Sequence, residues 1–212
     1  ASSSTSATAS SSTGLTEIPD ETNGPYPADG TNGPDILEQS GVVRSDITRS
    51  FPVNGRFSAA QREVYEIVLA AQAAAFAAIA PGRHFMEAHT AALGVLTRGL
   101  VDLKLLAGDV DNLIEQEAYK RFYMHRTGHW LGLDVHDAGD YKVGDDWAPL
   151  VPGMALTVEP GLYIRPAADI PPALAGIGIR IEDDVLVTAT GCEVYTTAPK
   201  TVAEIEEVMR HD

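Results

Sequence analysis

Three histidines fall within the fifteen residues HRTGHWLGLDVHDAG at 125–139, and two acid-bearing segments, TVEPG and GIRIED, follow downstream. The histidines are His125, His129 and His136; the acids are Glu159 and Glu182. An upstream Asp46 in SDITRSF, with Asp35 before it, would complete a two-metal set. A neutral imidazole among several carboxylates suits a hard divalent cation such as manganese, unlike the thiolates that hold structural zinc. The chemistry such a set supports is metal-assisted hydrolysis.

The surroundings sharpen this reading without closing it. The three histidines sit among Trp130, Leu131, Leu133 and Val135, an apolar run expected to be buried. Glu182 is flanked by Ile179, Ile181, Val185 and Val187. Buried imidazoles and carboxylates need partners, and either a metal site or a buried hydrogen-bond network would supply them. In the strand Ile177–Ile181 the isoleucines alternate with Gly178, Arg180 and Glu182, so Arg180 and Glu182 share a face. A fixed cation beside a carboxylate keeps it ionised, which suits a ligand supported by Arg180. A cross-strand salt bridge on a half-exposed sheet is the plain alternative for that pair.

The elements that must position these groups can be read in outline. Gln39-Ser40-Gly41 lies between Ile36-Leu37 and Val42-Val43, a hairpin signal. A two-residue Ser40-Gly41 turn would set Asp35 directly opposite Asp46, and like charges there call for a shared cation. Ser58 and Gln61 form a capping box ahead of Val64, Ile67, Val68, Ala71, Ala75 and Ile79 at helical spacing, ended by Pro81-Gly82. Further helices are expected over about Phe85–Leu103, Val110–Tyr119 and Val202–Met209, and His84 and His89 are read as scaffold without a role. Strands are expected at FYMHR, MALTVEP, GLYI and IGIRIEDDVLVT. Helices first and strands after, without regular alternation, indicate an α+β fold.

Composition bounds the rest. The 212 residues suit one domain, and residues 1–34, rich in Ser, Thr, Gly and Pro, read as a flexible tail ahead of a catalytic domain over 35–212. A net charge of -15 argues against nucleic acid or an anionic membrane as partner. The lone Cys192 allows no intrachain disulfide. With no transmembrane-length apolar stretch and no signal-peptide core, the expectation is a soluble cytoplasmic protein. A homo-oligomer is left open.

Four segments carry a resemblance: SDITRSFPVNGRFSAAQREVYEIVLAAQ, HWLGLDVHDAG, GMALTVEPGLYI and GIGIRIEDDVLVT. Together they closely resemble the C-terminal catalytic part of Xaa-Pro aminopeptidases and proline dipeptidases, metallopeptidases with the pita-bread fold. The resemblance spans about residues 43–209 and implies helices on a curved, mainly antiparallel sheet. It also implies two divalent ions, commonly manganese with cobalt or zinc as alternatives. By position the ligands would be Asp35, Asp46, His129, Glu159 and a bridging Glu182. Hydrolysis of the bond before a proline in the second substrate position would follow, by a hydroxide bridging the two metals. Glu159 would shuttle the proton, His125 and His136 would position the substrate, and Arg180 would stand behind Glu182.

This sequence departs from the family pattern in three places. The family strand reading roughly LLDAGAEYxGYxSDITR is GPDILEQSGVVRSDITR here, which keeps the eleven-residue spacing from Asp35 to Asp46 and little else. Nothing matches the family's N-terminal domain or the start of its catalytic domain, with its substrate-binding histidine. Arg126 stands where the family usually has Gly. The alternative function is therefore a truncated or degenerate member that keeps the fold for binding or structure.

Overall fold

The computed structural model describes residues 46–132, 135–137 and 139–210. Asp35, the 35–46 hairpin and the proposed tail lie outside the described residues. Helix α1 (Ala59–Ala78) begins where the sequence predicts, because the Ser58 hydroxyl accepts from the Gln61 N–H at 3.2 Å while the Gln61 side chain accepts from the Ser58 N–H at 2.9 Å. It buries Val64, Tyr65, Val68, Ala71, Gln72 and Ala75. Helix α2 (Phe85–Asp102) packs along α1 with Ala88, Ala92, Leu96 and Leu100 inward. Gly99 permits that close approach: a Cβ there would lie 2.5 Å from a methyl of Ile67.

The next expectation needs correction. The helix predicted over 110–119 is only α3 (Val110–Glu115); Glu117 then takes a left-handed φ of 55° and a 3-10 turn spans Ala118–Arg121. The expected strand FYMHR does not form either. Phe122 and Tyr123 instead close the 3-10 turn, both donating their N–H to the Tyr119 carbonyl at 2.8 and 2.9 Å, and both side chains are buried.

The described residues form these short strands: β1 (Thr48–Arg49), β2 (Leu131–Gly132), β3 (Val135–His136), β4 (Lys142–Val143), β5 (Asp146–Trp147), β6 (Ala155–Val158), β7 (Gly161–Tyr163), β8 (Gly178–Val187) and β9 (Cys192–Val194). β8 is the spine of the main sheet and pairs antiparallel with four others. β1 and β9 lie along one edge, β6 and β7 along the other. The pairs Val158↔Asp183 and Gly161↔Arg180 keep one register, so β6 and β7 are a single line interrupted at Glu159-Pro160. One face of β8 carries Ile179, Ile181, Val185 and Val187 into the core against α1. Asp183 shares that face; fully buried, it is held by Arg49 and by Lys200 at 2.7 Å. Helix α4 (Val202–Val208) closes the described chain where a helix is expected over about 202–209, and it opens on a Thr201–Glu204 capping box. Among the described residues no helix is long and apolar enough to cross a membrane.

Candidate metal centre

The second face of β8 gathers the acids. Thr48 pairs with Glu182 across β1 and β8. The unbroken register of β6 and β7 sets Glu159 opposite Glu182 on the other edge. The neighbouring Ile181 N–H donates to the Pro160 carbonyl, so Glu159 and Glu182 oppose each other at a non-hydrogen-bonded position, where side chains come closest. Asp46 lies two residues before Thr48 and so shares its face; its N–H donates to the Asp184 carboxylate at 3.0 Å.

His129 arrives from a segment that runs beside β6. The Thr157 N–H donates to the His129 carbonyl at 2.9 Å, and the Glu159 N–H to the Thr127 carbonyl at 2.6 Å. Between them, a Cβ on Gly128 would sit 2.0 Å from the Thr157 carbonyl oxygen. Only glycine lets the backbones approach this closely. The result is a cluster of Asp46, His129 and Glu182 whose ligand atoms lie within 4.8 Å of one another.

The tautomer of His129 is fixed by its partner. Its Nδ1 lies 2.9 Å from the Trp130 carbonyl, which can only accept, so Nδ1 carries the hydrogen. Nε2 is thereby turned toward Asp46 Oδ2 at 3.3 Å and Glu159 Oε1 at 3.8 Å. Either a proton on Nε2 or a cation between it and these oxygens makes this approach favourable. An imidazole anchored through its other nitrogen is the usual state of a metal-ligating histidine. This donor set therefore fits a hard divalent ion.

The charges agree. Burial, and then the Glu182 charge, pushes the Glu159 carboxyl up to about 7. Burial raises Glu182 as well, against the Thr48 hydroxyl that donates to it. Arg180 lies farther from these acids than expected, with Nη1 3.4 Å from Glu159 and Nη2 3.7 Å from Glu182. Its close bonds go to the Thr48 hydroxyl, at 3.0 and 3.2 Å. Thr48 thus relays Arg180 to Glu182. Sequence reasoning missed Thr48, although its two-residue offset from Asp46 marks it as a same-face neighbour.

The remaining histidines differ among themselves. His125 donates from Nδ1 to the Arg126 carbonyl at 2.7 Å, which leaves Nε2 to accept from the Tyr163 hydroxyl at 2.7 Å; burial lowers its pKa and keeps it neutral. Tyr163 was not anticipated. The His136 ring lies against that of His129, tilted by 49° with centroids 4.2 Å apart. The apolar run around it is buried only in part, however: Trp130 is 1% exposed while Val135 is 46% exposed and His136 is exposed. His89 is more than scaffold. Its Nδ1 lies 2.9 Å from the Thr127 hydroxyl, whose backbone carbonyl holds Glu159, and burial lowers its pKa to about 4. Arg126 lies over the rings of Tyr141 and Trp147, 5.8 and 5.6 Å from their centroids.

This arrangement sits within a segment, residues 39–189, that matches Metallopeptidase family M24. The chain belongs to that family. Among M24 relatives, the Xaa-Pro aminopeptidase of Haemophilus influenzae is 54% identical over 170 residues, covering 79% of this chain and 39% of the relative. The human Xaa-Pro dipeptidase is 38% identical over 194 residues, covering 78% of this chain and 39% of the relative. Pseudomonas aeruginosa aminopeptidase PepP superposes with a TM-score of 0.76 at 63% identity, covering 78% of this chain and 38% of that structure. The fold is accordingly the α+β pita-bread fold of M24, as the resemblance implied. The chain spans less than two-fifths of the length of these M24 relatives.

Proposed function

We propose that this chain is the metal-bearing part of an exopeptidase that hydrolyses the bond between an N-terminal residue and a following proline. The observation that carries the reading is the convergence of His129 Nε2 with the carboxylates of Asp46, Glu159 and Glu182. Asp46, His129, Glu159 and Glu182, with Asp35 as the fifth ligand, would hold two divalent ions, with manganese as the first candidate and cobalt or zinc behind it. That one E. coli aminopeptidase P structure is described as zinc-substituted and in complex with product supports an exchangeable metal in the relative. Bound there, a divalent ion supplies Lewis acidity to the scissile carbonyl and acidifies a water.

The chain's own groups divide the remaining work. Glu159 would shuttle the proton, as the resemblance implies. His125, whose Nε2 accepts from the Tyr163 hydroxyl, would line the substrate site together with Tyr163; His136 would contact the substrate from the exposed rim. Arg180 and Thr48 favour the charged form of Glu182 against the burial that raises its pKa. The substrates are peptides with proline second, and the proposed setting is the cytoplasm. Residues 35–212 would form the catalytic domain behind a 1–34 tail.

A second reading, a member that keeps the fold for binding without turnover, is favoured by the segment GPDILEQSGVVRSDITR, which keeps little of the family strand beyond the spacing from Asp35 to Asp46. Cleavage of Ala-Pro and Ala-Ala peptides with added manganese separates the two. Metal-dependent cleavage with a clear Ala-Pro preference is expected. Equal rates on both peptides would reject the proline specificity, and metal binding without cleavage would favour the second reading.

A further inference from the structure

The break between β6 and β7 leaves a backbone group without its ladder partner. Pro160 occupies a hydrogen-bonded position opposite Ile181, and its carbonyl accepts the Ile181 N–H at 3.3 Å. The return bond cannot form, because proline has no N–H. The Ile181 carbonyl would therefore be orphaned in a fully buried stretch of β8. The Gln72 side chain meets it. Gln72, itself 0% exposed, reaches from α1 and donates from Nε2 to the Ile181 carbonyl and to the Val158 carbonyl, each at 3.2 Å.

Those two carbonyls belong to the residues immediately before Glu182 and Glu159. One amide therefore fastens, from beneath the sheet, the two backbone points from which both glutamates project. Its orientation is not free. Lys200 Nζ, which can only donate, lies 3.4 Å from Gln72 Oε1 and is itself anchored on Asp183 at 2.7 Å. The two carbonyls can only accept, so only one setting of the amide satisfies all three partners.

We propose that Gln72 is a positioning residue of the metal centre: it replaces the ladder bond that Pro160 removes and so fixes the separation of Glu159 and Glu182. The role rests on the metal reading above. It predicts that losing the amide donor degrades metal binding more than it degrades the fold, since groups that orient ligands commonly change metal affinity roughly 10- to 100-fold.

The test compares three full chains, the parent, Gln72→Met and Val68→Ala. Methionine keeps the length of the side chain and removes the donor. Val68, also fully buried on α1, supplies a control in which the same helix is loosened without touching the two carbonyls. Cobalt(II) is titrated into each metal-free chain and its visible ligand-field spectrum followed, with thermal melting by circular dichroism recorded in parallel. Gln72→Met is expected to lose roughly 10- to 100-fold in cobalt affinity with an altered spectrum, whereas Val68→Ala keeps both near the parent values at a comparable melting-temperature loss. Parental affinity and spectrum in Gln72→Met, or an equal loss in Val68→Ala, would overturn the positioning role. If Gln72→Met fails to fold, Gln72→Glu replaces it, since its carboxylate can keep the Lys200 contact while lacking the donor; the same affinity loss is expected. A parent chain that binds no cobalt sinks the metal reading, and this role with it.

Discussion

Glu182 is where the site's residues meet most closely. It is 1% exposed, faces Glu159 across one edge of its strand and takes the Thr48 hydroxyl across the other. Replacing Glu182 with Gln preserves shape and removes the charge, so divalent-metal binding should collapse while helix and strand content stay constant. Metal stoichiometry and circular dichroism on the same samples check this; full occupancy in the variant would make Glu182 a structural acid. Glu159 gives a pH signature. Its carboxyl, raised from 4.5 to about 7 chiefly by burial, keeps a proton in the folded metal-free chain that the unfolded chain has already released. Its stabilising contribution is thus present below 4.5 and lost as pH rises through about 7. Glu159→Gln should therefore gain on the parent between about pH 5 and about pH 8, by on the order of 3 kcal/mol at about 1.4 kcal/mol per pH unit. His89, whose lowered pKa acts in the opposite direction, is common to both chains and cancels. A stability difference that stays flat with pH would show that Glu159 titrates normally. The acids and His129 were legible as residue types in apolar settings. Thr48 was hidden because a hydroxyl carries no compositional signal, and the sequence geometry had Arg180 reaching Glu182 directly.

At the scale of elements, caps and periodicity were read well because they are local. The Ser58 box starts its helix, and the alternation around Ile179 and Ile181 sets the faces of β8. Failures came where residue types do not announce the backbone partner. FYMHR has strand-like residue types, but the N–H groups of Phe122 and Tyr123 are taken by the Tyr119 carbonyl at the end of the 3-10 turn. Gly128 belongs to the same class: nothing in RTGHW announces that the Thr157 carbonyl will lie against it. Gly128→Ala should destabilise the chain by about 1–3 kcal/mol through forced backbone displacement and weaken metal binding by moving His129. Urea unfolding together with a metal titration would record both, and a neutral alanine would mean that the two segments can separate without cost.

For the whole molecule, the net charge of -15 and three carboxylates converging on one buried point act together. A bound divalent ion should offset their mutual repulsion, so manganese at about 100 times its Kd should add about 2.7 kcal/mol of stability, and a chelator should remove it. An unchanged melting temperature would count against any metal in this chain. Pro160, finally, has a consequence for heredity. A chain whose position 160 can donate an N–H has no orphaned Ile181 carbonyl, and the amide on α1 becomes dispensable. The two positions should therefore be epistatic: substitutions of Gln72 that are harmful beside Pro160 become tolerated once Pro160→Ala restores the donor. A pairwise mutational scan would expose that dependence as non-additive fitness between residues on different elements, and strictly additive scores would deny it.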